Sequence, residues 1–514
     1  MMDTKSDIKR KIEASFRRAE LSDFFKIIET EPNKFIWFIW TFKITKGQEI
    51  KPVGIARNNL RRLTHHLGFR RLTSEKEVVF KDGQIISLSS IEEIKSTIFD
   101  LLNLFDEKEV VSCDGITDEI TSELLIEIFL RQQHLAINKT SLIDYLTELD
   151  GDILQDTPDT SYIPFQNGIV TITNSDVQLV PYEQISKLVW KERLLPHNFE
   201  FLDYSNFMVT RFMFNVSGKD HKRVSSLMSI FGYLMHNHFP MSENRAVILV
   251  DEEAAHSNAP EGGSGKGLSA QMLAQVRRLV VLDGKRFLKD NRFLFQQVRA
   301  DHQIVHLDDV KNNFDTVSLN SVLSDGLAAE RKGKDVVKIP KERTPKFLIS
   351  ANAGISSEGT TRKRRQIIFP FSNHYSQLIR KGVHDPIVHE HGQRFFDSSW
   401  SETDWQMFFT LMTDCIKIYL SEGLIELDNN QVKTIGLKAV TNLEFVDFVE
   451  KHVQLNVRTQ TKESYQSFLQ QYDFEITEFK QRTFSNWLKK YAGVYGYEYT
   501  NETDNGISYF TIKN

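Results

Sequence analysis

The sequence predicts a multidomain α/β protein whose central part is a parallel sheet with helices on both faces. The chain has 514 residues, which corresponds to about three domains at roughly 150 residues each. Hydrophobic residues make up 40% of the chain and charged residues 26%, as in ordinary globular proteins. Between residues 245 and 371, short apolar runs alternate with helix-length segments, which is typical of strands buried on both faces.

Composition excludes several classes of protein. The net charge is −5, from 64 Lys and Arg against 69 Asp and Glu, so no global basic character indicates nucleic-acid binding. The two cysteines, Cys113 and Cys415, are far apart, which excludes a disulfide framework and favours a reducing cytoplasm. The longest apolar run, residues 35–40, is too short for a membrane-spanning helix of roughly 20 residues, and the N-terminus lacks the apolar core of a signal peptide.

Residues 1–155 are predicted to form an N-terminal α+β accessory domain. Residues 78–86 predict a hairpin with an Asp-Gly turn, and residues 91–104 have the apolar spacing of a helix. The mixed-charge residues 6–19 predict a further helix. The acidic, turn-rich residues 150–161 are the predicted linker that follows.

Residues 160–240 are predicted to contain a short β segment and a helical collar. Residues 162–173 form the β segment, and apolar residues recur every three or four positions over residues 202–239, which predicts two helices. Residues 241–425 are the predicted domain of the parallel sheet. Its strands are expected at residues 246–250, 279–282, 303–307, 347–350 and 366–369, with a closing helix over residues 404–420.

Residues 435–514 end in a helix and a hairpin. Residues 484–491 predict the helix, and residues 497–512 predict two alternating strands around an Asn-Gly turn. A helix followed by such a hairpin is typical of a winged helix, which would bind duplex DNA. The cations near the helix are Arg482, Lys489 and Lys490.

The most informative stretch is a glycine-rich loop that ends in lysine, at residues 260–267, between the first predicted sheet strand and a helix. Glycines allow successive backbone N–H groups to face an anion, and the lysine neutralises the β- and γ-phosphates of a nucleotide. The pattern therefore predicts a P-loop NTPase that binds ATP. The residues expected to hold the nucleotide are Gly262, Gly263, Ser264, Gly265, Lys266, Gly267, Leu268 and Ser269.

The loop departs from the strict pattern at two positions. Pro260 stands where a leading glycine is usual, and Gly267 stands where a Ser or Thr hydroxyl normally binds Mg²⁺. Three replacements for this hydroxyl stay open: Ser269, Ser264 or a water molecule.

Two acids follow a predicted strand about 40 residues after Lys266, a spacing typical of P-loop enzymes. Asp308 is expected to bind Mg²⁺ directly or through water, and Asp309 to orient or polarise the attacking water. Two solvated acids at a strand end are the alternative interpretation. The position after the glycine loop and one intervening strand favours the magnesium site.

Two further candidates follow. Asn352 ends the strand predicted over residues 346–352, where it would hydrogen-bond the γ-phosphate or the water, although an Asn there is often only a turn residue. The basic residues 362–365 precede the last strand, and a guanidinium stabilises the spread charge of a phosphoryl transition state in a neighbouring subunit. Arg364 and Arg365 are the candidate finger residues, with a solvated basic run as the alternative.

The order of these motifs resembles the superfamily 3 helicases, specifically the helicase portions of phage, plasmid and mobile-element primase–helicase proteins. The resemblance covers residues 162–420 and extends weakly to the C-terminal domain. It rests on the loop from Gly262 to Lys266, Asp308-Asp309, residues 327–334, Ser350-Ala-Asn352, Lys363-Arg364-Arg365 before Phe369-Pro-Phe, and the strand from Phe165. It implies an AAA+-like ATPase that uses ATP and Mg²⁺ and works as a ring, expected to be a hexamer, with ATP between subunits.

The resemblance also implies a hairpin that projects into the central channel of the ring and grips DNA. Arg331, Lys332, Lys334 and Lys338 fall on it. Contacts of Lys and Arg with backbone phosphates are independent of sequence and can be released as a motor steps. A solvated surface hairpin is the alternative.

The sequence therefore predicts an ATP-dependent DNA helicase or translocase for replication of a mobile element, in the cytoplasm of a bacterial or phage-infected cell. The rival is a replication initiator that binds nucleotide with little or no hydrolysis, and an RNA-directed motor is a third hypothesis. Asp150 and Asp152 lie in the linker and make no primase centre, so a separate primase or polymerase is an expected partner. His374, His384, His389 and His391 fit no closed zinc pattern.

Overall fold

The computed structural model describes residues 39–72, 77–103, 108–113, 116–238, 245–252, 263–286, 293–299, 301–310, 314, 319–330, 336–351, 365–427, 433–434, 437, 441–475 and 479–514. The chain divides into two units, Met1–Leu154 with Glu183–Leu194, and Gln155–Tyr182 with Leu195–Asn514. The finer division into four domains stays a prediction. Within the ranges just given, none of the helices combines the length and apolarity needed to cross a membrane.

The strands are β1 Trp40–Ile44, β2 Ile50–Ile55, β3 Phe69–Leu72, β4 Glu77–Asp82, β5 Ile85–Ser89, β6 Lys108–Cys113, β7 Ile116–Thr121, β8 Thr160–Phe165, β9 Gly168–Thr173, β10 Val177–Val180, β11 Val189–Trp190, β12 Ala246–Asp251, β13 Leu279–Asp283, β14 Ile304–Val310, β15 Leu327–Ala329, β16 Val337–Ile339, β17 Lys346–Ala351, β18 Gln366–Phe371, β19 Thr459–Gln460, β20 Glu498–Asp504 and β21 Ile507–Lys513. The helices are α1 Arg57–His66, α2 Ile91–Leu102, α3 Ser122–Ala136, α4 Met208–Val216, α5 His221–Met235, α6 Lys266–Ala274, α7 Asn320–Asp325, α8 His374–Arg380, α9 Pro386–His391, α10 Glu402–Glu422, α11 Leu443–His452, α12 Thr461–Gln471 and α13 Gln481–Tyr495.

The first unit contains the predicted hairpin and helix. Strands β4 and β5 are antiparallel, with Asp82 opposite Ile85, so the hairpin is present but its two turn residues are Gly83 and Gln84 and not the predicted Asp-Gly pair. Helix α2 begins at a capping box formed by Ser90 and Glu93, which satisfies N–H groups that have no partner inside the helix. Strand β11 pairs in parallel with β5 and extends this sheet to the order β11-β5-β4-β3. The predicted helix at residues 6–19 lies outside the described residues.

In the second unit, the β segment and the two predicted collar helices are present. Strands β8, β9 and β10 form an antiparallel sheet, and α4 and α5 follow it. Helix α5 packs closely against α10, because a Cβ atom at Gly232 would lie 2.0 Å from the Cys415 carbonyl oxygen. Glycine is therefore required at this helix crossing.

The five predicted central strands form one sheet in the order β13-β14-β17-β12-β18, and every neighbouring pair is parallel. Alternate residues of β12 enter two different hydrophobic clusters: Val247 and Leu249 pack with the helices, and Ala246, Ile248 and Val250 pack into the second cluster. The sheet is thus covered on both faces, as its apolar strands require. This mixed α/β core is consistent with a P-loop-like fold.

The C-terminal residues form a small layer of helices on a three-stranded sheet. The chain order is α11, β19, α12, α13, β20, β21, and the sheet order is β19-β21-β20. The hairpin turns at Asn505 and Gly506, which both have positive φ, 50° and 78°. This is the geometry that favours Asn-Gly in a two-residue hairpin turn, and it confirms the predicted turn.

Candidate nucleotide-binding site

The glycine loop leads directly into α6 at the carboxyl edge of the parallel sheet. Gly265 caps the helix with φ 105° and ψ 0°, and Gly263 has φ 85°. A Cβ atom would lie 3.0 Å from the Phe212 ring at Gly265 and 2.3 Å from Ile379 Cδ1 at Gly263. Both positions therefore favour glycine because of their positive φ, and at Gly265 the nearby ring also leaves little space for a side chain. Gly262 lies outside the described residues.

Lys266, the first residue of α6, points to a carboxylate. The residue is only 7% exposed, and its Nζ donates to Asp251 Oδ1 at 2.5 Å and to Ser264 Oγ at 3.2 Å. Asp251 ends β12, the strand that precedes the loop. A buried ammonium needs such partners because its desolvation is costly. The lysine is thereby held at the N-terminus of the helix, where backbone N–H groups have no intrahelical acceptor.

Residue 267, where the strict pattern has a hydroxyl, faces open space. A Cβ atom at Gly267 would have no heavy atom within 4 Å, so a larger side chain has room there. Leu268 is half-buried against the hydrophobic cluster. Ser269 is fully buried, and its Oγ has no hydrogen-bond partner among the described residues. Of the alternatives to the missing hydroxyl, Ser264 is the one seen in contact with Lys266.

Asp308 and Asp309 lie at the same sheet edge, on β14. Asp308 stands opposite Asp283 of β13, and its side chain is 52% exposed. Asp309 has a positive φ of 54°, a conformation that Asp adopts more readily than most residues. The Asp309 carboxylate forms an ion pair with Lys285 Nζ.

A bulge separates these acids from the regular ladder. The pairing of β14 with β17 shifts register between Leu307 and Val310, so the two acids interrupt the pairing with β17, whereas Asp308 stays in register with β13. Gly284 lies against this bulge, since a Cβ atom there would be 2.5 Å from the Asp308 carbonyl oxygen. Bulges re-aim side chains in this way.

His306 connects the acid strand to the neighbouring strand. Its Nε2 hydrogen-bonds Ser350 Oγ of β17 and lies 3.7 Å from Asp308 Oδ1. Burial lowers the pKa of His306, with the Asp308 charge opposing this shift. The imidazole is therefore neutral near neutral pH, and the contact with Asp308 is not an ion pair there.

Of the remaining predicted site residues, some lie among the described residues and others lie outside them. Asn352 and Arg364 lie outside the described residues, whereas Arg365 is described, half-buried, directly before β18. Arg331, Lys332 and Lys334 also lie outside them. Lys338 is exposed on β16 and stands opposite Ala328 in the antiparallel pair β15–β16. A hairpin is therefore present between β14 and β17, and Leu327 and Ile339 bury its base in the hydrophobic cluster.

Two of the four histidines that the sequence analysis considered as zinc ligands have other partners. His391 Nε2 hydrogen-bonds the Tyr375 hydroxyl at 2.7 Å, and His374 Nε2 lies 3.5 Å from Glu390 Oε2. Across the part of the chain that the structure describes, no group of three or more His, Cys, Asp or Glu is arranged to hold a metal ion.

Sequence reasoning missed Asp251 and Lys285. Asp251 had a usable signal, because it is an acid at the end of the strand that leads into the loop. Lys285 had none, because its contact with Asp309 depends on β13 and β14 being neighbours in the sheet.

No protein-family model and no curated protein matches this sequence. Among solved structures, the chain is similar to the apo A form of the NrS-1 C-terminal region, with 12% identity, a TM-score of 0.39, and coverage of 88% of this chain and 98% of that one. A second apo structure of the NrS-1 C-terminal region has 13% identity, a TM-score of 0.37 and the same coverages. JCV helicase bound to an acetamide compound has 13% identity and a TM-score of 0.23, covering 47% and 64%. These values assign the chain to no family.

Proposed function

We propose that the chain is an ATP-dependent DNA helicase or translocase of the superfamily 3 type, acting as a hexameric ring in replication of a phage, plasmid or other mobile element. The observation that carries this proposal is the loop geometry. Two glycines with positive φ, Gly263 and Gly265, lead into a helix whose first residue is the buried Lys266. This arrangement at the carboxyl edge of a parallel sheet is suited to binding phosphate.

The residues at this edge fit a nucleotide with its magnesium ion. Lys266 and the N-terminal N–H groups of α6 would bind the phosphates. Carboxylates are ligands that Mg²⁺ accepts alongside phosphate oxygens, and Asp308 is exposed at the same edge. Asp309 and Asn352 would orient the attacking water, and Arg364 or Arg365 of a neighbouring subunit would stabilise the developing charge. The bound ion would offset negative charge on the phosphates.

Two elements support the DNA part of the proposal. The hairpin β15–β16 carries the exposed Lys338, and the further predicted contacts Arg331, Lys332 and Lys334 lie outside the described residues. The exposed residues Arg482, Lys489 and Lys490 lie on α13, which the hairpin β20–β21 follows, an order that supports the predicted winged helix. Cations on both elements would contact phosphates, with single strands at the hairpin and duplex at α13.

The test is steady-state ATP hydrolysis by the purified full chain, with and without single-stranded DNA at matched salt. We expect DNA to stimulate hydrolysis, and Lys266→Ala and Asp308→Ala each to lower it by about 100-fold or more. Lys266 would stabilise the negative charge of the transition state directly, and Asp308 would hold the Mg²⁺ ion that does so. Asp283→Ala is the matched control, since Asp283 ends the neighbouring strand and pairs with Arg286 instead. Equal activity in the wild type and Lys266→Ala would contradict the proposal.

The second candidate is a replication initiator that binds nucleotide without hydrolysing it. Gly267, which provides no hydroxyl, is the observation that favours it. This candidate predicts no turnover by the wild type in either condition, together with nucleotide-dependent assembly on origin DNA. Parallel measurements with single-stranded RNA test the third hypothesis of an RNA-directed motor.

A further inference from the structure

The lysine of the phosphate loop is already paired with a carboxylate inside its own site. Lys266 Nζ lies 2.5 Å from Asp251 Oδ1, and the side chains are only 8% and 19% exposed. The two residues are 15 positions apart in sequence, so the contact is made by the fold and not by helix periodicity. The positive charge that phosphate binding requires is therefore compensated before any nucleotide arrives.

This pairing has an electrostatic consequence for nucleotide binding. A triphosphate that binds Lys266 meets the Asp251 carboxylate at close range, and the repulsion is strong because the pair is shielded from water. A divalent cation between the phosphates and Asp251 would turn this repulsion into attraction. ATP without a divalent cation should therefore bind this site more weakly than ATP with one. The difference in affinity should exceed the difference expected if Lys266 had no carboxylate partner.

The loop also lacks the usual oxygen for that cation. Gly267 has no hydroxyl, and a side chain there would meet open space. Mg²⁺ binds proteins through one or two carboxylates together with substrate phosphates. Asp251 ends β12 and Asp308 lies near the end of β14, with only β17 between the two strands. Asp251 is the carboxylate that lies in contact with the loop lysine.

We propose that Asp251 makes nucleotide binding at this site dependent on a divalent cation: without the cation it holds Lys266 and repels the triphosphate, and with the cation it becomes an oxygen ligand on the ion. This inference rests on the proposed nucleotide-binding function. It assigns Asp251 the task that the hydroxyl after the loop lysine performs in the strict P-loop pattern.

The experiment measures the dissociation constant of ATP for the full chain, by calorimetric titration, in Mg²⁺ and in EDTA. The wild type is expected to bind at least tenfold more weakly in EDTA. Asp251→Asn keeps the shape of the side chain but removes the charge, and we expect its affinity in EDTA to rise and its affinity in Mg²⁺ to fall, so that the ratio shrinks to less than threefold. The matched control Asp283→Asn should keep the wild-type ratio.

A conservative variant guards against a merely structural effect. Asp251→Glu retains the carboxylate and should keep most of the wild-type ratio, while circular dichroism checks that both variants fold. An unchanged ratio in Asp251→Asn overturns the inference, and so does an equal rise of affinity in both conditions, which would mean that Asp251 only competes for Lys266. Wild-type protein that binds no ATP in Mg²⁺ overturns the proposed function itself, and the inference with it.

Discussion

At the residue scale, three adjacent positions of the loop differ in the side chains that they can accept. Gly265 has a positive φ and lies against Phe212 and Val216, Lys266 is buried on its carboxylate partner, and Gly267 faces open space. The sequence alone does not distinguish Gly265 from Gly267, because both belong to one glycine-rich run. Only their surroundings in the fold distinguish a glycine that the backbone requires from one that can be replaced.

This difference predicts the outcome of two single substitutions. Gly265→Ala should lower the free energy of unfolding by about 1–3 kcal/mol, because it forces a non-glycine residue into the left-handed region, and it should weaken ATP binding. Gly267→Ala should leave the free energy of unfolding unchanged or raise it by up to about 0.5–1 kcal/mol, because alanine is more favourable than glycine in a helix by roughly that amount. Thermal denaturation with and without ATP measures both effects. Equal destabilisation by the two variants would contradict the conclusion that the backbone requires glycine at position 265 but not at position 267.

At the element scale, the cations of α13 and the acids of the adjoining hairpin are segregated. Glu498, Glu502 and Asp504 are exposed on β20, and Arg458 pairs with the last two of these acids. An acidic hairpin repels phosphates. DNA contact by this region is therefore expected from α13 and not from the hairpin.

The helix can be tested by the salt dependence of duplex binding. Alanine at Arg482, Lys489 or Lys490 should weaken binding for all DNA sequences and lower the slope of log affinity against log salt by about 1 for each phosphate that the protein no longer neutralises. Lys451→Ala is the control, because Lys451 of α11 pairs with Asp447 of the same helix. An unchanged slope in all three α13 variants would exclude this helix as the DNA-binding element.

At the scale of the whole molecule, one buried polar cluster ties distant segments of the second unit together. Asp156 accepts hydrogen bonds from Ser161 Oγ, from the Asn237 backbone N–H and from Arg277. Arg277 also donates to the Met235 carbonyl oxygen. Nearby, His236 Nε2 hydrogen-bonds the Thr157 carbonyl oxygen at 2.8 Å. The end of α5 is thereby joined to the chain that precedes β8.

This cluster makes stability depend on pH. Burial lowers the pKa of His236 to about 4, with the Lys346 charge adding to the shift and Asp156 opposing it. In the unfolded chain the pKa of histidine is about 6.5, so the unfolded state binds more protons between these values. The free energy of unfolding should therefore fall by up to about 1.4 kcal/mol per pH unit as the pH drops from about 6.5 towards 4.

The prediction is checked by thermal denaturation between pH 7.5 and 4.5. His236→Gln removes the titrating group and should flatten part of this dependence, whereas His389→Gln, at an exposed position of α9, should not. His391 will contribute a similar slope to both variants, because burial also lowers its pKa to about 4. Identical pH profiles for the wild type and His236→Gln would contradict the role of His236.

The features that could be predicted from the sequence are local ones. Its apolar runs predicted the five strands of the parallel sheet, and two turn dipeptides predicted both hairpins, because β pairing across a short turn depends on neighbouring residues. The glycine run likewise predicted Lys266 as a phosphate-binding residue, and this stays a prediction. The order of the strands, the bulge at Asp309 and the partner of Lys266 emerge only in the folded chain. These depend on hydrogen bonds and charges between residues far apart in the chain, and no local pattern specifies such contacts.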